Sequence, residues 1–181
     1  MIKEGVKYNV LIGRFQPLTM AHIECAMKAK EKNGCDTILC MIDRPEEKMS
    51  EKNPFPTQEY GWMYEKGCRA NPQFCIAGLV YVKNADFVKL SQMAAFQIAG
   101  WICGSDRYQI YKDMVEKYRD QIVVTPDFEV IEVERTGDDI SATKARQALL
   151  DDDFETWKKI TPFRTILRFE KSQEYVRRYS K

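Results

Sequence analysis

Tyr8-Asn9-Val10-Leu11-Ile12-Gly13-Arg14-Phe15-Gln16-Pro17-Leu18-Thr19-Met20-Ala21-His22 decides the fold. The opening run is short, β-prone and ended by Gly13, so Val6 to Ile12 is predicted to be a strand. Pro17 fixes a turn, and from about Thr19 to Lys32 the spacing becomes helical. Ile23, Ala26 and Met27 share a face, Lys28, Lys30 and Lys32 fall largely outside it, and Asn33-Gly34 stops the helix. A buried strand that turns at once into an amphipathic helix begins a βαβ unit.

The pattern repeats downstream. Thr37 to Ile42 reads as a second buried strand, followed by a polar loop from Asp43 to Pro56, long enough to be functional. Helix is expected at Gln58–Ala70, strand at Ile76–Val82, helix at Phe87–Ala99 and strand at Trp101–Cys103. A helix over Asp106–Tyr118, a short apolar piece at Ile122–Val124 and a strand at Phe128–Val133 follow. From Ser141 the chain is mostly helical, with a break at Thr161-Pro162. Strands alternating with helices predict a Rossmann-like α/β fold. Its parallel sheet carries helices on both faces and ends in a helical C-terminal segment. No internal repeat or linker divides the chain, and its length suits one domain with a real core.

Composition narrows the function. With 28 Lys+Arg against 27 Asp+Glu the net charge is +1, which argues against a general nucleic-acid binder. No apolar run approaches the ~20 residues that span a bilayer, so no membrane partner is expected. The N-terminal segment lacks a signal-peptide pattern, so a cytoplasmic protein is the expectation. Cys25, Cys35, Cys40, Cys68, Cys75 and Cys103 form no C-x-x-C pair, and His22 is the only histidine, so no protein-held metal is expected. Several cysteines sit in apolar runs and read as reduced, mostly buried thiols.

Ligands of such sheets bind beyond the carboxyl ends of the strands. Gly13-Arg14, Asp43-Arg44 and Gly104-Ser105-Asp106 all fall at such ends. At the first, Gly13 permits close backbone approach, and Thr19 and His22 lie one helical turn apart on a shared face. The helix N-terminus favours an anion, and Arg14 adds a guanidinium fork suited to phosphate oxygens. A second corner, Ile140-Ser141-Ala142-Thr143-Lys144-Ala145-Arg146, opens another helix. Ser141 is a good N-cap and Thr143 shares a face with Arg146. Ala142, Ala145 and Leu149 can pack on the sheet, and Lys144 either assists or is solvated. Together the corners describe one site for a nucleoside triphosphate.

These residues resemble the nucleotidyltransferase superfamily. Thr19-Met20-Ala21-His22 resembles its [H/T]-x-G-H signature, and Ile140 to Arg146 its I-S-x-T-x-x-R motif, which binds the triphosphate. More narrowly, Gly13-Arg14-Phe15-Gln16-Pro17 is similar to the opening of archaeal-type and phage-type nicotinamide mononucleotide adenylyltransferases. Asn53-Pro54-Phe55 with Glu59 resembles their N-P-F-T-x-x-E-R segment, and Gly104-Ser105-Asp106 a G-x-D segment at the fourth strand. Thr19 stands where those enzymes usually have His, and Ala21 where Gly is usual, so a methyl would crowd a closely packed nucleotide. Pro56 and Tyr60 replace the Thr and Arg of the middle segment. Arg44, Lys48 or Lys52 would then stand in for that Arg, unless the second substrate differs.

The resemblance spans roughly Lys7 to Pro162. It implies a single nucleotidyltransferase domain over residues 1–181, with its core at 7–162 and a helical extension at 163–181. The implied reaction is transfer of AMP from ATP to nicotinamide mononucleotide, giving NAD⁺ and pyrophosphate. Mg²⁺ would be held by the triphosphate and water. The implied catalytic residues are His22, Thr19, Arg14 and Arg146. ATP would be bound by Gly13, Arg14, Phe15, Gln16, Thr19, His22, Ser141, Thr143, Lys144 and Arg146, and the acceptor by Asn53, Phe55, Gly104 and Asp106. Asp106 would either meet a ribose hydroxyl or metal-bound water, or cap its helix. Trp101 and Trp62 would either pack or stack on a nicotinamide ring, whereas Phe154, Trp157, Ile160, Phe163 and Leu167 read as the apolar face of the closing helices.

Related enzymes are often homo-oligomers. Alternatives are adenylyl or cytidylyl transfer to another phosphorylated acceptor, or nucleotide binding without turnover. Arg135-Thr136-Gly137 faintly resembles the cytidylyltransferase R-T-x-G-I-S-T, with Asp138-Asp139 altering its spacing.

Overall fold

Residues 2–43, 49–134 and 140–180 are described in a computed structural model, without the side chains at positions 58, 59 and 62. The predicted roles of Arg44 and Lys48, the Arg135–Asp139 string, and the side chains of Glu59 and Trp62 lie outside the described residues.

Five strands form one parallel sheet: β1 (Lys7–Gly13), β2 (Thr37–Ile42), β3 (Ile76–Val82), β4 (Gln97–Cys103) and β5 (Glu129–Glu132), in the order β3-β2-β1-β4-β5. Helices α1 (Met20–Asn33) and α2 (Thr57–Arg69) follow β1 and β2. Next come α3 (Phe87–Met93) and α4 (Ser105–Lys117), after β3 and β4. The chain ends in α5 (Ala142–Leu150), α6 (Phe154–Ile160) and α7 (Ile166–Tyr179).

Strand side chains alternate between two cores, as a pleat with period two requires. Leu11, Leu39 and Met41 join Ile23, Met63, Tyr64, Leu149, Trp157 and Phe169 in the larger cluster, beneath α1, α2 and α5–α7. Tyr8, Val10, Ile38 and Cys40 face the other way, toward Phe87 of α3 and Tyr111 and Met114 of α4. Covering both faces explains why the central strands read as continuous apolar runs. The direction of winding reverses between β1 and β4, which creates a crevice at their carboxyl ends.

Local signals set the element ends. Gly34 stops α1 in the left-handed region (φ 77°), donating its N–H to the Lys30 carbonyl at 2.7 Å. Asn9, buried in β1, exchanges amide hydrogen bonds with Asn33 at 3.0 and 2.8 Å, which ties the end of α1 to the sheet.

Two expectations change, and the short apolar piece is placed. The helix predicted to Ala99 stops at Met93, and β4 begins at Gln97 rather than Trp101. Ile122–Val124 is a connection, in which the Val123 N–H donates to Ser91 Oγ at 3.0 Å. Leu167, predicted on the apolar face, is 73% exposed, because α7 turns Phe169, Tyr175 and Val176 inward instead. Trp101 lies in the core, stacked between Phe87 at 4.1 Å and Tyr111 at 3.8 Å. Among the described residues no helix is long and apolar enough to cross a membrane.

Candidate active site

β1 delivers Gly13 to the sheet's carboxyl edge, and the chain turns through Arg14–Leu18 into α1. Phe15 occupies the left-handed region (φ 47°), a strained conformation for a residue with a side chain. Its buried ring lies under Gly13, where an added Cβ would meet it at 3.1 Å, and meets His22 edge-on at 5.1 Å. Gln16 also points inward. Its Nε2 donates to the Phe55 carbonyl at 2.8 Å, and its Oε1 accepts the Phe55 N–H at 2.9 Å. Tyr64 of α2 donates its hydroxyl to the Phe15 carbonyl and accepts the Leu18 N–H at 3.0 Å.

His22 sits in the first turn of α1. The Thr19 backbone N–H donates to its Nδ1 at 3.1 Å, and the Thr19 hydroxyl lies 2.9 Å from the same nitrogen. An N–H donor aimed at Nδ1 assigns the neutral imidazole's proton to Nε2. His22 thus lines the cleft with a donor edge, while Thr19 is buried behind it.

On α5, Ser141 caps the helix by accepting the Lys144 N–H at 3.1 Å. One turn later Arg146 donates Nη1 to the Gln16 carbonyl at 2.6 Å and Nη2 to Thr143 Oγ1 at 3.2 Å. These bonds fix the guanidinium plane and join the two sequence motifs directly. Burial pulls Arg146 below its usual pKa, and the Glu51 carboxylate partly offsets this. A half-buried cation favours an anionic ligand.

The result is a cleft of ≈ 610 Å³ at the carboxyl end of β1. Arg14, Lys52 and Arg146 line it with His22 and Thr143, against the Glu51 carboxylate. Asn53, also on its wall, accepts a long hydrogen bond from Arg14 Nη1 at 3.4 Å. Such a surface can hold a polyanion and donate to an oxygen on which charge develops.

Of the predicted site residues, Arg14, Phe15, Gln16, His22, Asn53, Thr143 and Arg146 meet at this cleft. Others stand back from its wall. Gly13 makes room for Phe15, Thr19 orients His22, Ser141 caps α5, and Lys144 is exposed beyond Thr143. Phe55 is a correction: it is 0% exposed, stacked on Tyr60 at 4.2 Å, so its ring belongs to the core and cannot meet an acceptor. Gly104 and Asp106 are not among the residues lining this cleft: α4 starts immediately after β4, and Asp106 is exposed beside Arg107 (3.6 Å). Tyr60, at the position of the resembling enzymes' Arg, is fully buried and bonded to Ser172 of α7.

Sequence reasoning missed Glu51, Gln147, Leu150, Val176 and Ser180, which complete the lining, and placed Ala142 against the sheet rather than at the cleft. Val176 and Ser180 come from α7 and the residue after it, and no local pattern links them to a site formed by β1.

The model of the cytidylyltransferase-like family matches residues 10–148, from β1 to α5. No curated protein matches the chain. Among solved structures, the nicotinic acid mononucleotide adenylyltransferase of Plasmodium falciparum complexed with NaAD is 14% identical, with a TM-score of 0.56 and 96% of both chains covered. The same enzyme complexed with APC gives 13%, 0.57 and again 96% of both chains. A putative nicotinate-nucleotide adenylyltransferase from Vibrio parahaemolyticus gives 10% and 0.58, covering 92% of this chain and 97% of that one. At such identities the likeness is one of fold. The family match, with both of its motif regions converging on one cationic cleft, makes this chain a member of the cytidylyltransferase-like family of nucleotidyltransferases.

Proposed function

We propose that the protein is an adenylyltransferase that transfers AMP from MgATP to nicotinamide mononucleotide, forming NAD⁺ and pyrophosphate. The observation that carries this reading is the bond from Arg146 to the Gln16 carbonyl, which brings both anion-binding corners to one cleft. A phosphate oxygen of the acceptor attacks the α-phosphorus in line. The bond from that phosphorus to the bridging oxygen breaks, and pyrophosphate leaves. The attacking oxygen is already anionic, so no general base is needed, and catalysis rests on positioning and charge stabilisation.

His22 donates from Nε2 to the α-phosphate as charge develops, held in that tautomer by Thr19. Arg14 and Arg146 grip the outer phosphates, and Thr143 and the α5 N-terminus extend the cradle. Lys52 is the described cation able to stand in for the middle-segment Arg, since it lines the cleft while Tyr60 does not. The Mg²⁺ enters with ATP as substrate, carried by phosphate oxygens and water.

The fold neighbours named for the nicotinate nucleotide favour a second acceptor, nicotinic acid mononucleotide, for the same reaction. The test is dinucleotide formation from each mononucleotide with ATP or CTP and Mg²⁺. NAD⁺ from the nicotinamide substrate with ATP is the expected product. Turnover only with the nicotinate substrate moves the assignment to that acceptor. Pyrophosphate release with CTP alone rejects adenylyl transfer.

A further inference from the structure

Tyr64 is buried (1% exposed) in the inner face of α2, where its ring stacks on Phe163 at 5.1 Å and meets Tyr60 edge-on at 5.2 Å. Its hydroxyl alone leaves this aromatic cluster. It reaches back to the turn between β1 and α1, donating to the Phe15 carbonyl and accepting the Leu18 N–H. The two groups bracket Gln16 and Pro17, and therefore the segment between Arg14 and Thr19. Backbone donors and acceptors withdrawn from water need partners. Phe15, with its positive φ, needs its surroundings to hold it there. One phenol meets both needs.

We propose that Tyr64 is a positioning residue of this site. Its hydroxyl pins the Phe15–Leu18 turn, so that Arg14 on one side and the Thr19–His22 pair on the other meet the triphosphate at a fixed spacing. The proposal rests on the nucleotidyl-transfer reading for its kinetic consequence, and on geometry alone for the pin.

Tyr60 supplies a matched control. It lies one turn earlier on α2, is equally buried, and bonds Ser172 of α7 rather than the turn. Tyr64→Phe and Tyr60→Phe each remove one buried hydroxyl and keep the ring. Because misplacement of catalytic groups by about 1 Å is costly, Tyr64→Phe is expected to lower kcat by ~10-fold or more, with KM for ATP changed far less. Tyr60→Phe is expected to hold kcat within about twofold despite a comparable fall in Tm. Amide hydrogen exchange gives a readout independent of turnover: the Leu18 N–H should lose protection in Tyr64→Phe and keep it in Tyr60→Phe. Equal kcat losses in the two variants, or unchanged Leu18 exchange in Tyr64→Phe, overturn the proposal. If wild-type protein transfers no nucleotide, the functional reading has failed, and the exchange comparison alone decides the pin.

Discussion

His22 owes its tautomer to a backbone group, since the Thr19 N–H lies 3.1 Å from Nδ1. Replacing the histidine should therefore have two separable effects. His22→Ala is expected to reduce kcat by ~10²-fold or more, as loss of other transition-state donors does. It also leaves the buried Thr19 N–H without its imidazole partner, at a cost of about 1–3 kcal/mol in stability. Steady-state kinetics and calorimetry on one preparation separate these effects, and near-wild-type kcat in a folded variant removes His22 from the proposed role. Arg146→Lys tests the fork geometry. A lysine supplies charge without the planar donor pair that engages Gln16 and Thr143, so KM for ATP is expected to rise by roughly tenfold. Unchanged KM would show that charge alone suffices. At this scale the sequence was legible where chemistry selects the residue type, in that Arg14, His22, Thr143 and Arg146 meet at one cleft. It was not legible for the ring of Phe55, nor for Gln16 meeting the cleft by its carbonyl while its side chain turns inward, because a loop pattern does not say which way a side chain points.

Strand β4 shows where elements become ambiguous. Ala94 to Ala99 continues an apolar, alanine-containing run with no Gly or Pro before Gly100, so nothing local ends the preceding helix. Pairing decides the outcome: Tyr8 of β1 is in register with Ile98, and Gly100 with Glu129 of β5. Tertiary context overrides propensity in such a buried strand. β1, β2 and β3 were readable because each is bounded by turn residues or a sharp change in polarity. Gly100 is the most crowded of the sheet's glycines. A Cβ there would come within 2.4 Å of both Asn9 Oδ1 and Ile131 Cδ1. Gly100→Ala should therefore destabilise by about 1–3 kcal/mol or more, as overpacking does. Gly61→Ala meets only the hydroxyl and outer ring edge of half-exposed Tyr81, a side chain that can swing away, and should cost far less. Denaturant titration of both variants checks the contrast, and similar midpoints would refute it.

Burial across the whole molecule favours the protonated form of its most enclosed thiols, Cys40 and Cys68. None of the six cysteines is held in a disulfide, and burial pushes Cys40 and Cys68 up to about 12, from an ordinary value of 9.0. Between those values the folded chain holds protons that the unfolded chain releases. The stability this contributes is complete below pH 9 and is lost as pH rises toward 12, by up to ~1.4 kcal/mol per pH unit for each thiol. Tm should fall steadily above pH 9, and less steeply in Cys40→Ala. A flat profile would contradict the burial argument. A parallel sheet with helices on both faces was readable from the alternation of strands and helices, whereas the strand order and the return of α7 to the cleft were not, because they depend on packing distant in sequence. Cys35 and Cys75 are only half-buried and lie just before β2 and β3, at the amino ends of the strands, while the cleft opens at the carboxyl end of β1. A fluorophore or sensor surface attached through either thiol would tether the molecule at one pole and leave the other facing solution, an orientation suited to immobilised-protein assays.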